Sequence, residues 1–307
     1  MHRFTALALL VFAAAAAADP RVDQAKREGE VVWYTAMNLP DAEALKKPFL
    51  ARYPFLALSV LRAPGEKVRT RILTEARGQR YAWDVVSFNL LDIDALEREG
   101  LLAPHSSAAI YVRQYVIGYN TRQVKPEQAP RSWEDLLAPQ WTAKLAIDES
   151  DVEWYAAMLD YWGRDKGLGY MRALARQQPQ QRRGHQLLTR LLVAGDFPLA
   201  LVHASEIDKE RHDGAPVDWV RTLDPVITSP SHVAIAARAP HPAAARLLVD
   251  FLLSEEGQRA IASRGRVPAR SDLAAAAPLK VHYVSAGLAA DFGRYEREFR
   301  DIFGRAP

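Results

Sequence analysis

Short hydrophobic runs alternate with longer amphipathic stretches along the first third of the chain. The runs have the length and the β-branched or aromatic content of buried strands. The strands predicted from them are 31–35, 56–61 and 83–87. Between them, apolar residues recur every three or four positions, as on a helix packed against a core. The helices predicted from this spacing are 42–53, 67–77 and 91–99. Asp41 is expected to cap the first helix.

The alternation continues over the rest of the chain, and the length of 307 residues suits two domains. The further strands predicted are 115–120, 144–147, 199–202, 217–223 and 233–237. The further helices predicted are 152–162, 167–175, 187–194, 242–253 and 256–263, with another beginning at Ser132. Strands alternating with helices in this way predict an α/β fold with mostly parallel sheets flanked by helices.

Polar residues follow the first three predicted strands. In a parallel α/β sheet, ligands bind beyond the carboxyl ends of the strands, which here selects the loops 35–38, 63–66 and 87–89. Each polar residue there also suits a turn or a helix cap. Because the three loops meet at one sheet edge, we expect them to form a ligand-binding opening. The ligand-binding residues predicted on this side are Tyr34, Thr35, Asn38, Gly65, Ser87 and Asn89.

Two segments in the middle part of the chain carry charged groups suited to a ligand. Arg183 and His185 lie just before a predicted helix, and the backbone N–H groups at a helix N-terminus attract anions. The alternative is a solvated basic loop. Asp148 belongs to an acidic cluster at 148–153. This cluster would bind a cation or ligand hydroxyl groups, or it would only favour the start of helix 152–162 through the helix dipole.

Composition and charge exclude several classes of protein. Hydrophobic residues make up 49% of the chain and charged residues 25%, as in a globular protein. The net charge of +3 is a near-balance of basic and acidic residues and argues against a nucleic-acid-binding protein. The chain has no cysteine, so it has no disulfides, thiolate metal sites or cysteine nucleophile.

The N-terminal residues predict export. A basic start is followed by an uncharged apolar run over 4–18 that ends in an Ala-x-Ala pattern. This is typical of a secretory signal peptide, which we place at 1–18. The run is shorter than the roughly 20 residues that a membrane-spanning helix needs.

The motifs of common enzymes are missing from the sequence. There is no His-Glu-x-x-His metal motif, no Gly-x-Ser-x-Gly elbow, no Walker loop and no Gly-x-Gly-x-x-Gly motif. We therefore predict that the protein is not an enzyme, with an exported hydrolase as the alternative from that class. An exported interaction module without a small ligand is a third class.

Several segments, in order along the chain, resemble the periplasmic solute-binding proteins of bacterial ABC importers, close to the ferric-iron-binding proteins. They are REGEVVWYTAMN, RILTEARGQRYAWDVV, REGLLAP, YVIGYNTRQVKPEQAPRSWEDLLAPQW, GAPVDWV and ARLLVDFLLSEEGQRAIASRGRVPAR. The resemblance implies two α/β lobes of the type II binding-protein fold, joined by two crossover strands. The ligand is then held in a hinged cleft between the lobes.

The resemblance also implies domain boundaries, location and partners. The implied first lobe comprises 19–114 and about 229–270, and the second comprises 115–228. A C-terminal helical region at 271–307 is left unassigned to a lobe. The implied protein is a periplasmic monomer that delivers a small solute to a permease in the inner membrane and binds no nucleic acid. The short join between Pro104 and Tyr111 departs from the family, which has a longer stretch there.

The resemblance makes ferric iron, or a ferric–anion complex, the first candidate for the transported ligand. Ferric members hold the metal with adjacent tyrosines just after the strand that matches 199–202, where this chain reads His203-Ala204-Ser205-Glu206. Phenolate oxygens suit Fe³⁺, so the absence of these tyrosines weakens the prediction of ferric iron. Glu206 is left as the predicted metal ligand. His203 and Ser205 join Arg183 and His185 as candidate contacts of the alternative ligand, a small carboxylate or phosphonate. No cofactor is predicted apart from Fe³⁺ as cargo.

Overall fold

The computed structural model describes residues 19–270 and 279–304. The predicted signal peptide lies outside the described residues, as does part of the predicted C-terminal region. Among the described helices, none has both the length and the apolar character that crossing a membrane requires.

Strands and helices follow one another along the described chain. The strands are β1 Glu30–Thr35, β2 Ala57–Arg62, β3 Val85–Asn89, β4 Ala108–Asn120, β5 Leu145–Asp148, β6 Gln180–Arg182, β7 Leu199–His203, β8 Val217–Trp219, β9 Val226–Ile235, β10 Val267–Pro268 and β11 Val281–Tyr283. The helices are α1 Pro20–Glu28, α2 Leu39–Arg52, α3 Gly65–Arg77, α4 Leu90–Arg98, α5 Val152–Trp162, α6 Arg164–Arg176, α7 His185–Ala194, α8 Ala204–His212, α9 Pro242–Leu253, α10 Glu255–Ser263 and α11 Phe292–Phe303.

Two groups of parallel strands are joined by a pair of long antiparallel strands. The strand order is β2-β1-β3-β9-β4-β7-β5-β6. We call β2-β1-β3 the first half-sheet and β7-β5-β6 the second half-sheet; the strand pairs within each run parallel. β9 pairs with β3 through its last residues, β4 pairs with β7 through its last residues, and β4 and β9 pair with each other. The predicted α/β class is therefore confirmed.

Three hydrophobic clusters pack against the two half-sheets. One includes Trp33 of β1 with residues of α2, α9 and α10, and a second includes Phe88 of β3 with residues of α3 and α4. The third and largest surrounds β5 and β7 and includes Trp154. Tyr295 and Phe299 of α11 belong to this third cluster, so the C-terminal helix packs mainly on the second half-sheet. The lobe boundaries themselves stay a prediction.

The structure corrects several predicted element boundaries. β4 begins at Ala108, seven residues before the predicted strand, because the short join pairs with β9 as part of the ladder. α8 follows β7 without a loop, and a short 3₁₀ helix at Glu134–Leu137 replaces the helix predicted from Ser132. The N-cap of α2 is Asn38, whose side-chain oxygen accepts the N–H of Asp41 at 2.9 Å, so the prediction that Asp41 caps this helix was wrong.

Two glycines of α6 are expected to respond oppositely to the same substitution. A Cβ at Gly167 would lie 2.9 Å from Leu159 Cα of α5, so Gly167→Ala should force the two helices apart and destabilise the fold by about 1–3 kcal/mol. A Cβ at Gly169 would meet nothing within 4 Å. Gly169→Ala should therefore stabilise the fold by about 0.5–1 kcal/mol through the higher helix propensity of alanine. Urea unfolding of both variants checks this; shifts of the same sign would contradict it.

Candidate functional site

A cavity of about 1050 Å³ lies at the carboxyl ends of β1, β3, β5 and β7, between the two half-sheets. The first turns of α3, α4, α5 and α7 point toward it, and α11 forms a further wall. Its charged lining is mixed: Arg62, Glu66, Arg69, Asp92, Arg113, Asp148, Glu149, Asp151, Glu153, Arg183, His185, Arg190, His203, Glu206, Arg266, Glu296, Arg297 and Arg300.

On the side of the first half-sheet, side chains that cap helices position the polar groups of the cavity. Asn89 caps α4 through its side-chain oxygen, and its amide nitrogen donates to Asp92 Oδ2 at 2.7 Å. Arg69 forms an ion pair with Asp92 at 2.6 Å and a second with Glu296 of α11 at 3.1 Å. Burial raises the pKa of Asp92 to about 6, although Arg69 opposes this shift. Gly65 begins α3 where a Cβ would lie only 2.8 Å from Asp92 Oδ2, so the missing side chain lets the two elements approach.

On the side of the second half-sheet, two histidine rings pack against each other at the cavity wall. We call this pair the histidine stack. His185 begins α7 and His203 ends β7, and their ring centroids are 4.0 Å apart. The ring of Tyr115 lies edge-on to both, at 5.8 Å from His185 and 5.0 Å from His203. Asp151 Oδ1 lies 2.9 Å from His185 Nε2. The pair is thus fixed by neighbours on β4 and at the start of α5.

The two histidines have opposite shifts in pKa. Burial alone would lower the pKa of His185, but the Asp151 carboxylate outweighs it and raises this pKa to about 9. Burial and the positive charge of His185 lower the pKa of His203 to about 3. At neutral pH the stack therefore holds one imidazolium and one neutral imidazole, since two adjacent buried positive charges would repel each other.

Carboxylates around the stack are held by hydrogen bonds. Glu206 Oε2 accepts from the Thr189 hydroxyl at 3.1 Å, and Glu206 Oε1 lies 3.9 Å from His203 Nδ1. Although burial raises its pKa, His203, His185 and Arg266 hold the pKa of Glu206 down at about 2. Asp148 Oδ2 accepts the N–H of Gly184 at 2.6 Å, where a φ of +98° suits glycine.

A buried group that the sequence analysis did not select lies beside Tyr115. Arg113 of β4 donates to Glu153 Oε2 of α5 at 2.7 Å and to the Ser229 hydroxyl of β9 at 2.7 Å. The Ser229 hydroxyl also donates to Glu153 Oε2 at 2.7 Å. The sequence signal was an arginine inside an apolar stretch, YVRQYVIGY, but the predicted strand began at Tyr115 and left Arg113 outside it.

Several buried atoms in this wall have no hydrogen-bond partner. They are Arg113 Nε, Glu153 Oε1, His185 Nδ1 and His203 Nε2, and all four residues line the cavity. Unpaired buried polar atoms are costly, and they mark places where a ligand or water completes the site. No group of three or more His, Asp or Glu side chains suited to a metal ion occurs within residues 19–270 and 279–304.

The sequence of residues 32–267 matches the model of a protein family described as bacterial extracellular solute-binding protein. The chain belongs to this family. Solute-binding proteins of this kind serve ABC importers and bind small ligands; they are binding proteins and not enzymes.

Solved structures of other solute-binding proteins share this fold. Iron-bound HitA from Pseudomonas aeruginosa has 21% identity and a TM-score of 0.76, covering 89% of this chain and 99% of its own. AfuA from Actinobacillus pleuropneumoniae, with exogenous fructose-6-phosphate bound, has 21% identity and a TM-score of 0.79, covering 91% and 99%. The ferric binding protein from Campylobacter jejuni has 14% identity and a TM-score of 0.76, covering 89% and 99%. These likenesses confirm the predicted periplasmic-binding-protein fold.

A sequence relative adds no function. An uncharacterized protein from Haemophilus influenzae is 24% identical over 162 residues, which covers 50% of this chain and 47% of that protein. This solute-binding protein therefore spans about half the length of the curated relative that it matches.

The structure places most of the predicted ligand-binding residues around the cavity. The predicted residues that line it are Asn38, Gly65, Asn89, Asp148, Arg183, His185, His203 and Glu206. Arg183 forms an ion pair with Glu149 and is largely exposed. That these residues bind the ligand stays a prediction.

Four predicted residues do not line the cavity. Thr35 and Ser87 are buried and share a hydrogen bond of 2.8 Å between their hydroxyls, which uses these groups inside the sheet. Tyr34 is buried in the cluster with α3, and its hydroxyl donates to Glu75 at 3.1 Å. Ser205 lies on the first turn of α8, because the helix starts directly after β7.

The histidine stack predicts two distinct NMR titrations in the unliganded protein. The ring signals of His185 should titrate with a pKa of about 9, whereas those of His203 should not titrate between pH 5 and 8. Asp151→Asn removes the counter-charge and should lower the pKa of His185. The signals are assigned with His185→Gln and His203→Gln. A pKa near 6.5 for His185 in the unsubstituted protein would contradict the Asp151 pairing.

The same pairing predicts a pH dependence of stability. Because the pKa of His185 is raised from 6.5 to about 9, its stabilising contribution is complete below pH 6.5 and is lost as the pH rises through 9. The free energy of unfolding should fall over this window in the unsubstituted protein and fall less in Asp151→Asn. Urea unfolding at several pH values measures both curves, and parallel curves would contradict the expectation.

Proposed function

We propose that this protein is the periplasmic substrate-binding component of an ABC importer and that its ligand is a small organic anion. The observation that carries this proposal is the set of buried, unpartnered nitrogen atoms on Arg113, His185 and His203 in one cavity wall. Two of these residues are positively charged at neutral pH. Charge-assisted hydrogen bonds to an anionic group would satisfy them in a site largely withdrawn from water.

The cavity walls support capture by closure. Asn38 and Asn89 approach from the first half-sheet, while Asp148, His185 and His203 approach from the second. A ligand that contacts both walls would stabilise the closed arrangement and shift the population toward it. The hinge would act in the two strands that join the half-sheets. The predicted signal peptide at 1–18 supports delivery to the periplasm and to a permease, and we keep the monomeric state as part of the proposal.

Ferric iron or a ferric–anion complex is the second candidate. Iron-bound HitA and the Campylobacter ferric binding protein support it, as does the Glu206 carboxylate in the cavity wall. The chemistry of the wall favours the anion, because no tyrosine follows β7 and Glu206 is already bonded to Thr189. The fructose-6-phosphate bound to AfuA is an organic anion of the proposed kind.

A matched pair of histidine variants tests the proposal. The probes are glycerol 3-phosphate, fructose 6-phosphate, citrate, propylphosphonate and ferric citrate, screened by thermal shift and then by calorimetry. At least one iron-free anion should bind, and His185→Gln should weaken it about 10-fold or more by removing a buried positive donor. His282→Gln is the control, because His282 also lies 2.9 Å from a carboxylate, that of Asp160, but outside the cavity lining.

Two results would contradict the anion proposal. One is binding of ferric citrate together with no response to any iron-free anion. That result would favour the hypothesis of a ferric ligand, which predicts that Glu206→Gln weakens binding while His185→Gln does not. The other is equal weakening of binding by His185→Gln and His282→Gln. A ligand bound in the cavity should lose affinity only with the first substitution, because His282 is not part of the cavity lining.

A further inference from the structure

Glu153 lines the cavity and has one buried acceptor oxygen without a partner. Its side chain is about 5% exposed, and three donors converge on the same oxygen, Oε2: Arg113 at 2.7 Å, Ser229 at 2.7 Å and the Tyr115 hydroxyl at 3.3 Å. The other oxygen, Oε1, is buried and has no partner. Both oxygens of a buried carboxylate normally accept hydrogen bonds. With three donors at one oxygen and none at the other, Glu153 still has hydrogen-bonding capacity that the fold does not use.

Glu153 lies close to the proposed anion contacts through Tyr115. Tyr115 connects the two places: its hydroxyl reaches Glu153, and its ring faces His203 at 5.0 Å and His185 at 5.8 Å. One small molecule that spans the tyrosine would therefore meet the positive His185 at one end and the Glu153 acceptor at the other. The cavity of about 1050 Å³ has room for such a molecule.

We propose that Glu153 Oε1 accepts a hydrogen bond from a hydroxyl group of the ligand, so that the transported solute is a hydroxylated anion. The charge balance favours a hydroxyl over an ammonium group. Arg113 already neutralises the Glu153 carboxylate, and an ammonium group would have to sit beside that guanidinium. A neutral donor satisfies Oε1 without adding charge. This inference rests on the proposed function and specifies the ligand class of the same site.

Arg113 and Ser229 act as positioning residues for this acceptor. They stand directly opposite each other on β4 and β9, and both bond to Glu153 Oε2. With Oε2 held from two strands, the direction of Oε1 is fixed before the ligand arrives. Preorganised acceptors of this kind discriminate strongly, because a ligand without the donor leaves the buried oxygen unpaired.

The test measures a ratio of affinities within matched probes. By calorimetry, 2-hydroxyethylphosphonate is compared with propylphosphonate, in which a methyl group replaces the hydroxyl, and with 2-aminoethylphosphonate. Glycerol 3-phosphate is compared with propyl phosphate in the same way. The hydroxylated member of each pair should bind at least about 10-fold more tightly than its deoxy partner. The amino probe should bind more weakly than the hydroxyl probe.

Three variants assign the preference to Glu153. Glu153→Gln should reduce the hydroxyl-to-methyl ratio, since the amide oxygen takes the place bonded to Arg113 and the NH2 group, which cannot accept a hydrogen bond, takes the place of Oε1. Should this single variant unfold, the double variant Arg113→Met/Glu153→Leu removes both charges together. It should weaken every anion probe, because Arg113 is a proposed anion contact, while its hydroxyl-to-methyl ratio should fall to about one. Glu296→Gln is the control, because Glu296 also lines the cavity but is paired with Arg69. Its ratio should match that of the unsubstituted protein.

The possible outcomes distinguish failure of this inference from failure of the proposed anion-binding function. Equal affinity for hydroxylated and deoxy probes would overturn the role of Glu153 while leaving anion binding intact. Tighter binding of the amino probe would overturn the choice of a hydroxyl group. No binding by any of these anions, including those of the wider panel, would overturn both. A hydroxyl preference that survives in the double variant would place the acceptor elsewhere.

Discussion

The backbone pairing between β4 and β9 is the contact on which the rest of the structure depends. Each half-sheet is a separate group of parallel strands, and the described sheet joins them only through these two strands. The same strands carry Arg113 and Ser229, which face each other across the ladder and hold Glu153 of α5. Any rotation of one half-sheet against the other therefore bends the ladder next to a buried ion pair.

Three buried carboxylates in the cavity wall are held in local ion pairs. Asp92 is paired with Arg69, Asp151 with His185, and Glu153 with Arg113. Because each pair is nearly neutral, these three pairs add little net charge to the wall. They leave Glu153 Oε1 and His185 Nδ1 buried without a hydrogen-bond partner. Under the proposed function, hydrogen-bond geometry at such atoms would select the solute, and charge would strengthen the bonds at close range.

The sequence predicted the position of the site better than the side chains within it. Asn38 and Asn89 were found because the carboxyl ends of parallel strands meet at one edge, a rule that needs only strand order. Asp148 was found as part of an acidic cluster, and His185 because it lies just before a predicted helix. Thr35 was predicted to bind the ligand, but it is buried in the sheet and its hydroxyl bonds to Ser87 on a neighbouring strand. The pattern of residues along one strand does not show which residue of the next strand it will meet.

Other parts of the site depend on contacts between distant segments. Arg113 and Glu153 are forty positions apart, and each alone fits an ordinary surface explanation; only the folded chain shows that they meet and that one carboxylate oxygen is left empty. The wall formed by α11 is similar, because its contact with Arg69 joins residues more than two hundred positions apart. The alternation of strands and helices carries no information about such pairs.

The position of α11 in the chain has a consequence for the order of assembly. Residues in the range 292–304 form a cavity wall, and all other lining residues precede them in the chain. Because a chain is synthesised from its N-terminus, both half-sheets are present before this wall is added. The ion pair between Arg69 and Glu296 therefore forms only when α11 docks, and until then the cavity lacks one side.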